Sequence, residues 1–333
     1  MSEPLRVAVI GLGAMGANHA RVLRELPDAE LVAVADVDEA RLDGLPTKGY
    51  GDHRALLASE QPDAVSIAVP TRLHLEVALD CIERGVAVLV EKPIAADAEE
   101  GERLRSAADA AGVPLMVGHI ERFNPAVQEL KRRLAAGELG RVLQLRTRRV
   151  GPFYQRQRDV GVVHDLATHD IDIMRDLMGC EVERVQAETQ RGVLTEHEDA
   201  LTGLLRFENG VVGQLEANWL SPVKVRELAV LGERGTFVVD YISQSLSFRA
   251  SEPGDAARAP DVWPPSAGGD THVELPVERH EPLRAELATF LRVARGLEPP
   301  RASAADGIAA LRVAEALVEA ARRGEPVAVG RPG

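Results

Sequence analysis

Two short stretches of this 333-residue sequence carry side chains able to move a proton beside a reacting carbon. Lys92 stands in Glu91-Lys92-Pro93, directly after the all-apolar run 86–90. A lysine at the mouth of a buried strand is costly unless it meets a carboxylate or a substrate. It therefore either pairs with Glu91 or polarises the oxygen of a bound ligand. The sequence has only three other lysines, Lys48, Lys131 and Lys224, among 39 basic residues. The second stretch is His164-Asp165-Leu166-Ala167-Thr168-His169-Asp170-Ile171-Asp172. Asp165 and His169 are four apart, so on a helix they share one face. A histidine with a carboxylate on its own face is equipped to take a proton from an alcohol. The plain alternative is a helix-surface ion pair, which is common and worth little.

Such groups work only if a fold brings them to one place. Gly11-Leu12-Gly13-Ala14-Met15-Gly16 follows the apolar run 5–10 and opens an amphipathic stretch, the setting in which GxGxxG binds a dinucleotide. Gly11 permits the tight turn, Gly13 lets the backbone approach a pyrophosphate, and Gly16 lets the helix pack close to the strand. The helix start, with Ala14 and Met15, offers free N–H groups to the phosphates. Asp36 lies twenty residues beyond Gly16, where an acid bonds the adenosine ribose hydroxyls. A 2′-phosphate there would meet a negative charge with no arginine nearer than Arg41, which favours NAD over NADP. The competing reading is a Gly-rich turn in an unrelated α/β protein. Pro70, Thr71, His74, Glu91, Lys92 and His119 follow further apolar runs, at the strand edge where open α/β sheets bind ligands. His74 and His119 read equally well as helix-start and loop histidines.

The elements follow from periodicity. Apolar runs at 5–10, 31–35, 64–69, 86–90 and 114–118, with a weaker one at 47–50, have strand length. Amphipathic stretches at 14–26, 53–59, 73–84 and 97–111 alternate with them as helices, which predicts a doubly wound parallel sheet covered on both faces. The pattern changes after Gly118. Helices are expected over 123–136, 164–178, 280–295 and 303–323, and strands over 142–150 and through 182–250. Asn209-Gly210 suits a two-residue hairpin turn, 231–236 is a second turn, and 251–271 reads as an exposed loop. The expected architecture is an α/β Rossmann domain at 1–120 and an α+β domain at 121–333 with a largely antiparallel sheet. Its C-terminal helix is free to pack back on the first domain.

Bulk composition narrows the functional class. The net charge of −13 argues against nucleic acid and anionic membranes as partners. No run reaches the length of a membrane span, and no signal-peptide pattern opens the chain. Cys81 and Cys180 have no metal-like spacing, so a reducing cytoplasm is expected and no metal site is read.

Together, the GLGAMG turn at 11–16, EKP at 91–93 and DLATHDID at 165–172 resemble the Gfo/Idh/MocA oxidoreductases. That family includes inositol, sugar and nucleotide-sugar dehydrogenases. The order of elements and the chain length agree with it over nearly the whole sequence. The resemblance implies roles: Lys92 stabilises the developing alkoxide, Asp165 contacts a substrate hydroxyl and orients the base, and His169 is the acid–base group. Thr71, Glu91 and His119 would line the nicotinamide side, and the Lys92–Pro93 peptide would be cis. The open sheet face would make a homodimer or homotetramer.

Arg146, Arg148, Arg149, Arg156 and Arg158 fall within thirteen residues, with Phe153 and Tyr154 among them. Guanidinium clusters suit diphosphates, which leans the substrate toward a nucleotide sugar. The run Gly118–Pro125, with Arg122 and Phe123, is similar to branches acting on nucleotide-linked amino sugars; a solvated strand face is the plainer reading of the arginines. The expected function is an NAD(P)-dependent dehydrogenase of a carbohydrate CH–OH group, with Arg122, Phe123, Arg149, Tyr154 and Asp165 on the substrate. Alternatives are a non-catalytic dinucleotide-binding regulator and an NAD-recycling glycosidase or eliminase.

Overall fold

The computed structural model describes residues 3–153, 160–250 and 271–330. Tyr154, Arg156, Arg158 and residues 251–270 of the expected loop lie outside them. Six short runs build one parallel sheet: β1 (Leu5–Ile10), β2 (Ala29–Ala35), β3 (Lys48–Tyr50), β4 (Ala64–Ile67), β5 (Ala87–Glu91) and β6 (Leu115–Gly118). Their order is β3-β2-β1-β4-β5-β6. β4 and β5 are buried along their whole length, as continuous apolar runs must be when helices cover both faces. Those helices are α1 (Ala14–Glu25), α2 (His53–Glu60), α3 (His74–Ile82) and α4 (Ala98–Ala111). The Asp52 and Asp97 carboxylates cap α2 and α4 by accepting from Arg54 N and Glu100 N. β2 and β4 lie on opposite sides of β1, so the chain switches direction there and opens a crevice at the C-terminal end of β1.

The second half contains α5 (Pro125–Ala135), β7 (Val142–Pro152), α6 (Thr168–Met178), β8 (Val182–Arg191), β9 (Glu198–Phe207), β10 (Val212–Asn218) and β11 (Leu220–Gly232). It continues with β12 (Gly235–Asp240), β13 (Ser245–Ala250), β14 (Thr271–Leu275), α7 (Pro282–Ala294), α8 (Ala304–Arg323) and β15 (Val327–Ala328). Its nine-stranded sheet runs β14-β13-β12-β11-β7-β10-β9-β8-β15 and is antiparallel except at β10–β7. Burial alternates along β9 and β10, so one face is covered and the other open. The expected α/β plus open-sheet α+β architecture is what the chain adopts.

Two local expectations change. The Asn209-Gly210 hairpin is not a two-residue turn: Gly210 N donates to Phe207 O at 2.9 Å with Gly210 at φ 84. That left-handed glycine closes a longer loop of the bulged kind. The stretch expected as one helix from 164 begins as a π-helical turn, Val163–Ala167, before regular α6. Such wide turns concentrate at functional sites.

Two helices join the halves. α8 starts at a Ser303–Asp306 capping box and packs on α4 and β6 as well as on α6 and β8. α7 lies against α1. Cys81 and Cys180 are free. Among the described residues no helix is long and apolar enough to cross a membrane.

A Cβ added at Gly16 would sit 1.7 Å from Gly11 O. Gly16→Ala must therefore push α1 off β1, an overpacking cost of about 1–3 kcal/mol or more. The variant should melt at lower temperature and lose dinucleotide binding in a calorimetric titration. Unchanged binding would show that the α1–β1 approach does not matter.

Candidate active site

The glycine turn has the shape its sequence predicts. Gly11 takes φ 89, and a Cβ there would strike Ala68 O at 2.6 Å. A Cβ on Gly13 would meet no protein atom within 4 Å, so this bare stretch of backbone, at the start of α1 beside Ala14 and Met15, fits an approaching pyrophosphate. Asp36, at the end of β2, is held by Leu12 N donating to Oδ2 at 2.6 Å and Asp38 N donating to Oδ1 at 2.9 Å. Arg41 folds back to within 3.2 Å of Asp36 Oδ2 and 3.2 Å of Asp38 Oδ2. The acid thus stands beside its arginine, a nearness that sequence spacing did not convey.

β5 ends at Glu91 and hands the chain to Lys92 through a turn whose Lys92–Pro93 peptide is cis. The Lys92 ammonium donates to Asp165 O at 2.6 Å and to Asp165 Oδ1 at 3.1 Å. The contact joins the edge of the parallel sheet to the π-helical turn before α6. His169 follows one turn later. Burial pushes the His169 imidazole well below its ordinary range, and the Lys92 charge is the next largest cause, ahead of Arg149. The Lys92 charge therefore acts on His169. The ring is neutral at neutral pH, the form that accepts a proton.

The other acids of the 165–172 motif anchor the helix. Asp170 receives Arg149 Nε at 2.8 Å and Nη2 at 3.1 Å. Asp172 receives Arg122 Nε at 2.8 Å and Nη2 at 2.6 Å. All four side chains are buried. Burial pulls the Arg149 guanidinium toward neutrality, but Asp170 and Glu121 more than offset it and keep the charge. Its plane also lies 4.9 Å from the Tyr241 ring.

These pairings change several expectations. Arg122 and Arg149 spend their donors on buried carboxylates rather than facing a ligand. Phe123 is wholly buried in the apolar cluster between α1, α7 and the sheet. The arginine cluster does not converge, because strand side chains alternate faces. Arg146 and Arg148 are exposed on the open sheet face, where Arg148 pairs with Glu216 at 3.1 Å, while Arg149 points inward. The diphosphate argument built on their spacing loses its footing among the described residues. His74 is buried, with ring nitrogens 2.8 Å from Pro93 O and 3.0 Å from Val69 O. It ties two loops together. Pro70 and Thr71 form the turn just before α3, with Thr71 buried. His119 is buried 3.6 Å from Asp172 Oδ2, and burial holds its ring below the ordinary range. Glu91 turns its carboxylate to His19 Nε2 at 3.1 Å.

Sequence reasoning missed Asp170, Asp172 and His19. The signal for the two acids was present: the motif holds more carboxylates than proton transfer needs. His19, on the inner face of α1, carried none.

Comparison with known proteins agrees with this geometry. Residues 5–119 match the family model described as GFO/IDH/MocA oxidoreductase family, NAD-binding Rossmann fold, and residues 127–238 match the GFO/IDH/MocA C-terminal domain. The chain is 31% identical to UDP-N-acetylglucosamine 3-dehydrogenase of Acidithiobacillus ferrooxidans over 95% of this chain and 96% of that protein. It is 32% identical to a myo-inositol dehydrogenase of Streptomyces leeuwenhoekii over 97% of this chain and 100% of that one. A solved structure of UDP-N-acetylglucosamine 3-dehydrogenase from Acidithiobacillus ferrooxidans superposes with a TM-score of 0.84 at 28% identity, covering 97% of this chain and 99% of that one.

Removing one partner of a buried ion pair strands the other charge. Arg149→Met should cost about 3–5 kcal/mol in urea unfolding, with weakened turnover because α6 carries His169. A cost below about 1 kcal/mol would mean that Asp170 finds another partner and that the pair does not hold the helix.

Proposed function

This chain belongs to the GFO/IDH/MocA oxidoreductases, and on that premise we propose that it oxidises or reduces a carbohydrate CH–OH carbon using NAD, with Lys92, Asp165 and His169 as its catalytic residues. The observation that carries the reading is the Lys92–Asp165 contact, with neutral His169 one turn beyond, on the ligand-binding edge of the sheet. Bound NAD supplies the hydride acceptor at its nicotinamide. Gly11, Gly13, Gly16 and Asp36 would hold its pyrophosphate and adenosine ribose. Two of the three ammonium donors of Lys92 go to Asp165, and the third is available to the substrate oxygen. There the charge stabilises negative charge growing on oxygen as the C–H bond breaks. His169 takes the hydroxyl proton. Asp165, fixed to Lys92, sets the aim of both. A non-catalytic regulator would have no use for this arrangement.

NAD is favoured over NADP by the NAD-binding family match and by Asp36 at the ribose position, while Arg41, paired with Asp36, lessens the repulsion a 2′-phosphate would meet. The substrate reading leans to a UDP-linked amino sugar, supported by the 31% identical relative, with inositols and free sugars next. Residues 1–120 would bind the dinucleotide, and 121–333 would complete the substrate side. The open sheet face suits self-association as a dimer or tetramer, and the reading places the enzyme in the cytoplasm.

The test is a panel of UDP-sugars, inositols and free sugars with NAD and NADP, followed by cofactor absorbance. Lys92→Ala and His169→Ala should each lower kcat by about 10²–10⁴-fold with NAD affinity intact. Near-normal rates in either variant would overturn the mechanism. Because the His169 pKa is depressed, the base stays unprotonated as pH falls. The kcat/KM for oxidation should therefore hold until well below the ordinary histidine range, and a limb at or above that range, lost in His169→Ala, would contradict the burial argument.

A further inference from the structure

Behind the Lys92 turn lies a second polar cluster that the chemistry above does not use. His19 on α1, Glu91 at the end of β5 and Glu286 on α7 place one ligand-type atom each within 4.8 Å of one another, and all three are buried. His19 Nδ1 lies 2.6 Å from Ser66 Oγ, and its Nε2 is 3.1 Å from Glu91 Oε1. The other Glu91 oxygen accepts from Lys92 N at 3.2 Å. Both Glu286 oxygens are fully buried without a hydrogen-bond partner, and the 3.1 Å approach of His19 Nε2 to Glu91 Oε1 is an ion-pair distance that leaves both of those buried atoms outside hydrogen-bond geometry. Leu23, Leu89, Phe123, Leu287 and Phe290 belong to the apolar core cluster that α1, β5 and α7 share.

Two carboxylates this close in a dry pocket cannot both stay ionised. The elements packed on α7 are α1, the turn at 120–123, β5 and β6. They present His19, Glu91 and Glu121 as titratable groups, and Glu121 is already bound to Arg149 at 3.0 Å. Arg122 in that turn is bound to Asp172, and β6 has no titratable side chain. On α1, Arg21 is bound to Glu281 and Arg24 donates to Ala20 O, and among the described residues no basic side chain is bound to Glu286. A proton on Glu286 removes the repulsion and supplies the donor that Glu91 lacks.

We propose that Glu286 is a positioning residue: as a neutral carboxylic acid it donates to Glu91 and, with His19, clamps the carboxylate that fixes the Glu91-Lys92-Pro93 turn. Burial first, then Glu91 and Glu121, push the Glu286 carboxyl well above its ordinary range. Burial also works against the Glu91 charge, but His19 and Lys92 outweigh it and keep Glu91 ionised. The proton therefore belongs on Glu286. The action on Lys92 rests on the catalytic reading above; the protonation state does not.

The sign of the pH effect follows. Above the ordinary glutamate range the unfolded chain releases the Glu286 proton while the folded chain keeps it, so wild-type stability falls as pH rises through that window. Glu286→Gln has no such proton and keeps an N–H donor. Its stability relative to wild type should rise steadily as pH increases above the ordinary glutamate range. An isotope-edited infrared spectrum of wild-type protein labelled with ¹³C-glutamate should show a carboxylic-acid carbonyl band at neutral pH, absent from Glu286→Gln. Glu286→Leu, without a donor, should lower kcat roughly tenfold to a hundredfold with little change in KM for NAD, and Glu286→Gln should restore it. The protonation claim is overturned by a missing acid band in wild type, by a stability difference that does not change with pH, or by a stoichiometric metal removed by chelation. The positioning claim is overturned if Glu286→Leu turns over at the wild-type rate. If no substrate is turned over by any form, the infrared and stability measurements still decide the protonation state.

Discussion

The ammonium of Lys92 spans the gap between the C-terminal edge of one sheet and the turn that begins α6 against the other. A charge at that depth has to meet an oxygen, and the partner it meets is the backbone and side chain of a single residue, Asp165. Because one end is fixed by β5 and the other by the π-helical turn, the contact sets where His169 lies relative to the crevice beyond the glycine turn. Every chemical statement about the site depends on that spacing.

The helix that carries His169 is held by charges rather than by packing alone. Asp170 and Asp172 bind Arg149 and Arg122 through paired, buried hydrogen bonds. Such pairs add little net stability over an apolar core but lose much when broken. What they provide is direction: planar guanidinium forks accept a carboxylate in one orientation, so α6 cannot rotate without breaking both. Behind Lys92 the same logic runs through Glu91, whose oxygens face His19 and the Lys92 backbone. The Lys92–Asp165 contact is thus braced from both sides by buried polar groups.

The parallel sheet, its glycine turn and the helix-by-helix alternation were legible in the sequence because local periodicity and a tight turn determine them. The resemblance carried by EKP and DLATHDID pointed to Lys92, Asp165 and His169, and the structure joins the first two. Charge partners were less legible. Arg146, Arg148 and Arg149 are neighbours in sequence, yet the pleat sends the first two to the open face and the third inward to Asp170. His74 and Phe123 sit beside motif residues, but long-range packing gives them other partners, which spacing cannot encode. Glu286 lies almost two hundred residues from Glu91 in the chain, and only the docking of α7 on α1 brings them together.

The most direct measurement is a crystal structure of the ternary complex with NAD and a turned-over sugar, captured with a slow substrate analogue. The reacting oxygen should lie within about 3.2 Å of both Lys92 Nζ and a His169 ring nitrogen, with the Lys92–Asp165 contact intact. A productive complex in which either side chain stands beyond hydrogen-bond reach, with no bridging water, would contradict the shared site.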